Sequence, residues 1–222
     1  MRSLFSKLGL LVPTLALVFS GVGKADIIAP GSAGVPDVFT LVNPTLLELV
    51  SDPFSNANES GTVLAAVISD PTNPFGAGNL DFVYQIDNNT GSLDGLERLV
   101  ATTFTGYATN VGYATNGAVL SNGFVDGTIA PGGADRPFAN EVRFNFGTPN
   151  TVAPGTSSEL LVIKTNSTMF TTGSVAIIDG LSTNLSGFSP SGDPTPKPSM
   201  TLFVGAGLAA VVALRKKFTR AQ

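Results

Sequence analysis

Residues 80–87 are Leu-Asp-Phe-Val-Tyr-Gln-Ile-Asp, and apolar side chains alternate there with mostly polar ones. Residues 141–146, Glu-Val-Arg-Phe-Asn-Phe, alternate without interruption. Successive side chains of a β-strand point to opposite faces, so a period of two is typical of strands with one buried face. Both stretches are therefore predicted to be half-buried strands.

Further strands are indicated by runs of apolar or β-branched residues at 62–68, 100–105, 160–163 and 175–178. Continuous apolar runs suit strands that are covered on both faces. Turn-forming residues separate the runs at 70–74, 87–91, 131–133 and 149–150. Residues 45–50 could begin a helix, but Pro53 would end it within about two turns. We predict an all-β fold, an antiparallel β-sandwich, for the body of the chain at residues 26–190.

The composition of the 222-residue chain limits its chemistry, because it has no Cys, no His and no Trp. Disulfides, thiolate metal sites and a Ser-His-Asp triad are excluded. Neither a nucleophile elbow nor a Gly-rich phosphate loop is present. We therefore predict that the protein is not an enzyme. A glycan hydrolase that uses two of the sixteen carboxylates remains the more remote alternative.

The formal net charge of −4 conceals an uneven distribution. Residues 26–199 hold all sixteen acidic residues and five basic ones, a net charge of −11, whereas both ends of the chain carry only basic residues. A body of this charge repels nucleic acid phosphate, so no nucleic acid partner is expected. Basic, apolar ends on either side of an acidic body indicate a chain that interacts with a membrane at both termini.

The N-terminal segment has the pattern of a secretory signal peptide. Arg2 and Lys7 precede an apolar run of about a dozen residues, and small residues follow it. The pattern predicts a signal peptide at residues 1–25, which signal peptidase removes by cutting between Ala25 and Asp26.

The C-terminal segment has three parts: a polar, proline-rich linker at 191–199, an apolar stretch at 200–214, and a basic tail at 215–222. Fifteen helical residues span about 22 Å, which is short of a hydrocarbon core of about 30 Å. Snorkelling by Arg215, Lys216 and Lys217 makes a thin or tilted transmembrane helix feasible. The same cluster places the C-terminus in the cytoplasm and the body outside.

The order of linker, Pro196-Lys197-Pro198-Ser199, short apolar helix and basic cluster resembles the PEP-CTERM sorting signal of exported bacterial proteins. The resemblance implies processing near the Pro-x-Pro element by an exosortase, a membrane-embedded sorting protease. It also implies delivery to the cell surface or to the extracellular polysaccharide matrix. Lys197 stands where the family usually has Glu, and a plain membrane anchor without processing is the alternative.

A repeat of Gly-Tyr-Ala-Thr-Asn at residues 106–110 and 112–116 supplies a possible sugar contact. An even spacing puts Tyr107 and Tyr113 on one face of an extended strand. They would then form an aromatic platform for sugar rings, which makes a carbohydrate-binding adhesion module the alternative function. Two tyrosines that simply pack on a sheet explain the pattern as well.

Oxygen-bearing side chains are densest at residues 87–97. The stretch does not fit an EF-hand, because Gly91 and Arg98 occupy ligand positions. A looser Ca²⁺ site with Asp87, Asn89 and Asp94 on a hairpin turn is one hypothesis, and Ca²⁺ is the sole cofactor considered. The other hypothesis is a turn whose Asn and Asp residues serve the backbone alone.

Overall fold

The computed structural model describes residues 27–147 and 150–194. These residues form twelve β-strands and one short 3-10 helix, Gly117–Leu120. The strands are β1 (Ser32–Gly34), β2 (Asp37–Phe39), β3 (Thr45–Ser55), β4 (Ser60–Ser69), β5 (Leu80–Asn88), β6 (Arg98–Thr102), β7 (Thr109–Ala114), β8 (Gly133–Arg136), β9 (Glu141–Asn145), β10 (Leu160–Thr165), β11 (Met169–Asp179) and β12 (Leu181–Ser191).

The strands form two six-stranded sheets that pack face to face. Sheet A has the order β2-β7-β10-β5-β4-β3, and sheet B has the order β1-β8-β9-β6-β11-β12. The predicted all-β sandwich is therefore what the described residues form. The prediction of purely antiparallel pairing is wrong, because β2 runs parallel to β7.

The main core lies between the two sheets. Sheet A contributes Phe82 and Tyr84, sheet B contributes Leu99 and Phe144, and all four are at most 1 % exposed. The ring of Phe82 meets that of Phe104 edge to face at a centroid distance of 5.7 Å. An edge-to-face arrangement is the geometry that aromatic quadrupoles favour.

A second apolar cluster covers the outer face of sheet A. Val83 and Val162 of the sheet pack there with Leu41, Leu120 and Phe124, which come from segments between the strands. Strand β5 is consequently buried on both faces, and only Asp87 of its nine residues is exposed. The prediction that residues 80–87 form a half-buried strand is wrong for this reason, whereas β9 does alternate between buried and half-buried residues.

Residues 45–50 belong to strand β3 and not to a helix. Pro53 lies within that strand, opposite Thr62 of β4. Proline cannot donate a main-chain hydrogen bond, and it is tolerated in this strand because β3 is at the edge of sheet A. The interpretation of Pro53 as a helix stop was therefore wrong.

The predicted signal peptide and residues 195–222 of the predicted C-terminal segment lie outside the described residues, whereas the predicted linker begins within them, because Ser191 is the last residue of β12. The residues outside include the cleavage point at Ala25 and Asp26, and the sorting residues Pro196, Lys197, Pro198, Ser199, Arg215, Lys216 and Lys217. Within residues 27–147 and 150–194, no helix has the length and apolar character that a membrane crossing requires.

Candidate functional site

The predicted calcium ligands lie at one end of strand β5. Asp87 is exposed and accepts a hydrogen bond of 3.0 Å from the Ser157 hydroxyl. Asn89 donates to the Ser60 hydroxyl at 3.2 Å, and Asp94 accepts from the main-chain amide of Gly95 at 2.8 Å. Each of the three side chains thus has a separate local partner.

Asp94 is also one of four carboxyl groups that come together near this end of the sandwich. The carboxyl groups of Asp179 and Glu59 are within hydrogen-bonding range of each other, and the charges of Asp94 and Glu97 act on Asp179. Partial burial and the hydrogen bond with Glu59 raise the pKa of Asp179 to about 6. In the described part of the chain, no three such side chains are arranged so that they could hold a metal ion.

The two tyrosines of the repeat lie on different elements. Tyr107 precedes β7, and its hydroxyl donates to the main-chain carbonyl of Gly192. Tyr113 lies within β7, opposite Leu161 of β10. A single extended strand carrying both rings is therefore absent, and the sugar platform stays a prediction.

Two basic residues of the body, Arg143 and Arg136, lie in different environments. Arg143 forms ion pairs with Glu141 and, at 3.7 Å, with Asp135. Arg136 is buried and donates to four oxygen acceptors that carry no charge. Burial lowers the pKa of the Arg136 guanidinium.

The most unusual group of side chains is a buried charge cluster on the outer face of sheet A. Lys164 of β10 and Asp81 of β5 are directly paired across the sheet. Asp70, from the segment after β4, reaches the same point. The three residues are at most 2 % exposed. We call Asp70, Asp81 and Lys164 the charge cluster.

The geometry of the charge cluster centres on the Lys164 ammonium. Its Nζ lies 2.7 Å from Asp70 Oδ2 and 3.6 Å from Asp81 Oδ2, and it donates to the Thr72 hydroxyl at 2.8 Å. The ring of Phe39 covers the ammonium, with its centroid 4.9 Å from Nζ. An aromatic face at that distance attracts the cation and keeps water away from it.

The two carboxyl groups of the cluster differ electrostatically. Burial raises the pKa of Asp81 to about 7, even though Lys164 and Asn73 favour its charged form. Burial by itself would also raise the pKa of Asp70. Hydrogen bonds from Lys164 and Thr72 outweigh this effect and hold the pKa of Asp70 below its ordinary value. At neutral pH the cluster therefore contains an ion pair beside a carboxyl group that can take up or release a proton.

Sequence reasoning did not identify the charge cluster. The alternation at residues 80–87 predicts a solvent-facing Asp81, and the charge count of residues 26–199 includes Lys164 without marking it. One signal was present, because Lys164 directly follows the apolar run 160–163. A lysine that continues a fully buried strand must be paired.

A small cleft lies on the same outer face of sheet A, and its volume is about 210 Å³. Its polar lining comes from Thr62, Gln85, Asp87 and Ser157. The side-chain amide of Gln85 is already hydrogen-bonded to the main chain at Val125 and Ser158. Asp87 is therefore the one charged group that faces this cleft.

The fold and these sites define an all-β protein of two packed sheets with buried ionic groups and an acidic surface. Comparison of the chain with known proteins finds no matching family model, no matching curated protein and no matching solved structure.

Proposed function

We propose that the chain is an exported protein of the bacterial cell envelope, and that its β-sandwich faces outward and presents an acidic, non-catalytic surface. The signal peptide at residues 1–25 directs export. The C-terminal segment at 191–222 sorts or anchors the protein at the membrane, and the mature protein resides at the cell surface or in the extracellular polysaccharide matrix.

The observation that carries the proposed surface role is the distribution of charge in the described residues. Eleven acidic side chains there are at least partly exposed, but only two basic ones are, Arg98 and Arg143. The other two described cations, Arg136 and Lys164, are buried. The ratio of acidic to basic residues is therefore higher on the surface than in the sequence of residues 26–199. Such a surface keeps a protein soluble and repels other polyanions unless cations intervene.

Matrix polymers are the partners that this surface suits. Carboxylates accept hydrogen bonds from sugar hydroxyl groups, and divalent cations can bridge them to acidic polysaccharides. Bridging of this kind needs no preformed metal site, since single carboxylates from protein and polymer share the ion. Exported acidic proteins without a catalytic constellation can work in this way as components of the matrix.

Sorting rests on the sequence of the C-terminal segment. Signal peptidase acts first, and an exosortase then recognises Pro196-Lys197-Pro198-Ser199 while the apolar stretch holds the chain in the membrane. The positive charge of Lys197 replaces the usual negative charge at the recognition element, so processing is slow compared with a Glu variant.

Cell fractionation combined with mass spectrometry tests the targeting. We expect the envelope and medium fractions to contain a protein that begins at Asp26. We also expect part of it to lack residues after the Pro-x-Pro element, and Lys197→Glu to increase that part. Lys197→Gln, which removes the positive charge without adding a negative one, is the matched control and should increase that part less. A protein that retains Met1, or that is found only in the cytoplasm, would contradict the proposal.

A further inference from the structure

The charge cluster holds a potential amide-forming pair that the proposed function does not use. Lys164 and Asp70 are 94 positions apart in sequence, yet Nζ and Oδ2 are in contact at 2.7 Å. A primary amine and a carboxyl group are the two components of an amide bond. Contact distances of this kind give intramolecular reactions very high effective concentrations.

The cluster is shielded from solvent, which favours the amide over the two separated charged groups. The side chains of Lys164 and Asp70 are 2 % and 0 % exposed, and the ring of Phe39 covers Nζ. Keeping an ion pair in such a place is costly, because both charges lose their hydration. Formation of the neutral amide removes both charges and releases one water molecule. The reverse reaction, hydrolysis of the amide, would need a water molecule at this shielded place.

Asp81 supplies the proton transfer that amide formation requires. Its Oδ1 accepts a hydrogen bond of 2.7 Å from Asn73, while its Oδ2 has no hydrogen-bond partner and lies 3.6 Å from Nζ. One oxygen is thus held in place and the other is free to exchange a proton with the lysine nitrogen. A positioned group of this kind contributes a factor of about 100 or more to the rate of a proton transfer reaction.

We propose that Lys164 and Asp70 become joined by an intramolecular isopeptide bond, and that Asp81 acts as the proton-transfer residue. A proton first passes from the Lys164 ammonium to the Asp70 carboxylate, which leaves a neutral amine and a neutral acid. The nitrogen lone pair then attacks Asp70 Cγ and forms the C–N bond. Asp81 Oδ2 takes a proton from the nitrogen and delivers it to the departing hydroxyl, which leaves as water. Asp81 ends in the state in which it began.

The cross-link would fasten the segment after β4 to the central strand β10. This chain has no cysteine, so it lacks the covalent staple that exported proteins commonly use. An amide between distant positions restricts the unfolded chain as a disulfide does, and reducing agents do not break it. The reaction needs only the folded sandwich, so it does not depend on the export and sorting proposed above.

Peptide mapping of the full-length protein tests the proposal. The protein is purified after folding at neutral pH, denatured, digested and analysed by tandem mass spectrometry. We expect a branched peptide that joins the segments around Asp70 and Lys164, with a mass lower than the sum of the two by one water. Unmodified linear peptides at both positions would overturn the proposal. A branched peptide that has lost ammonia would also overturn it, because it would place the link at a side-chain amide. The candidates are Asn73 and Asn110, the β7 residue that pairs with Lys164.

Two variants separate the proton-transfer role from a structural one. Asp81→Asn keeps the size of the side chain, and we expect the initial rate at which the branched peptide accumulates in newly synthesised protein to fall by about a hundredfold. Asp87→Asn, at an exposed position of the same strand, is the matched control and should leave that rate unchanged. Circular dichroism shows whether each variant is folded. If Asp81→Asn folds and forms the link at the wild-type rate, the role of Asp81 is refuted. If it does not fold, the wild-type peptide map alone decides whether the bond exists.

Discussion

The Arg136 guanidinium donates a hydrogen bond of 2.6 Å to the main-chain carbonyl oxygen of Phe104, deep in the protein. The same guanidinium bonds the carbonyl oxygens of Tyr107 and Ala139. One buried cation thus ties strand β8 to the turn before β7 and to the turn that leads into β9. A planar group with five donors suits this task, because it can serve several carbonyl oxygens at once.

Replacement of this arginine should be strongly destabilising. We expect Arg136→Met to lower the free energy of unfolding by about 3 kcal/mol, since several buried acceptors lose their donor. Arg143→Met, which removes a half-exposed arginine, should cost about 1 kcal/mol or less. Urea unfolding followed by circular dichroism measures both. Equal losses in the two variants would show that the buried hydrogen bonds of Arg136 contribute little.

The sequence predicted the strands whose apolar residues are regular or continuous. Strands β4, β5, β9 and β10 were found at their expected places, because each face that the other sheet or the outer apolar cluster covers requires apolar residues. Strand β3 was missed, since Leu46, Leu49 and Val50 suit a helical face as well as an irregular edge strand. Its bulge between Leu46 and Glu48 breaks the alternation that would have identified it.

The charge cluster could not be predicted from the sequence, for a different reason. Asp70 and Asp81 are near each other in the chain, but Lys164 joins them only because β10 pairs with β5. The pairing of strands that are distant in sequence follows from the topology of the whole sheet, and no local pattern specifies it. The same applies to Asp179 and Glu59, which the two sheets bring together.

The Gly112 position should not tolerate a side chain. A Cβ atom there would lie 2.2 Å from the carbonyl oxygen of Asp37 and 2.5 Å from the ring of Phe39, both on the parallel strand β2. We expect Gly112→Ala to cost about 2 kcal/mol by forcing β2 away from β7. Displacement of Phe39 should also let water reach Lys164.

Urea unfolding and amide hydrogen exchange in β2 measure this effect. Gly91→Ala is the matched control, because a Cβ at Gly91 meets nothing within 4 Å. Similar exchange in β2 for both variants would contradict the close approach of the two strands.

The carboxyl pair of Asp179 and Glu59 should make stability depend on pH. The pKa of Asp179 is about 6 in the folded protein, compared with an ordinary value of 3.8. Between these values the folded state holds a proton that the unfolded state has released, so this site loses stabilising free energy as pH rises. Asp179→Asn cannot lose a proton, and it should be the more stable protein above about pH 6 and lose that advantage near pH 4.

Melting temperatures of wild type and Asp179→Asn across that range test the prediction. Glu48→Gln, which neutralises an exposed carboxylate on β3, is the control. It should change the melting temperature by the same small amount at the low and the high end of the pH range. A wild-type protein that gains stability over Asp179→Asn as pH rises would show that the carboxyl group is favourable in its charged form.

The two tyrosines of the repeat should not act as one sugar-binding surface. Tyr107 lies in a turn with its hydroxyl engaged by the carbonyl of Gly192, whereas Tyr113 lies within β7 beside Leu161. We therefore expect the Tyr107→Ala, Tyr113→Ala double variant to be retained on polysaccharide as well as wild type. Phe138→Ala, which removes an aromatic ring that is 62 % exposed, is the control. A loss of retention by about tenfold in the double variant alone, about 1.4 kcal/mol of binding free energy, would instead favour the carbohydrate-binding module over an acidic surface without a defined sugar site.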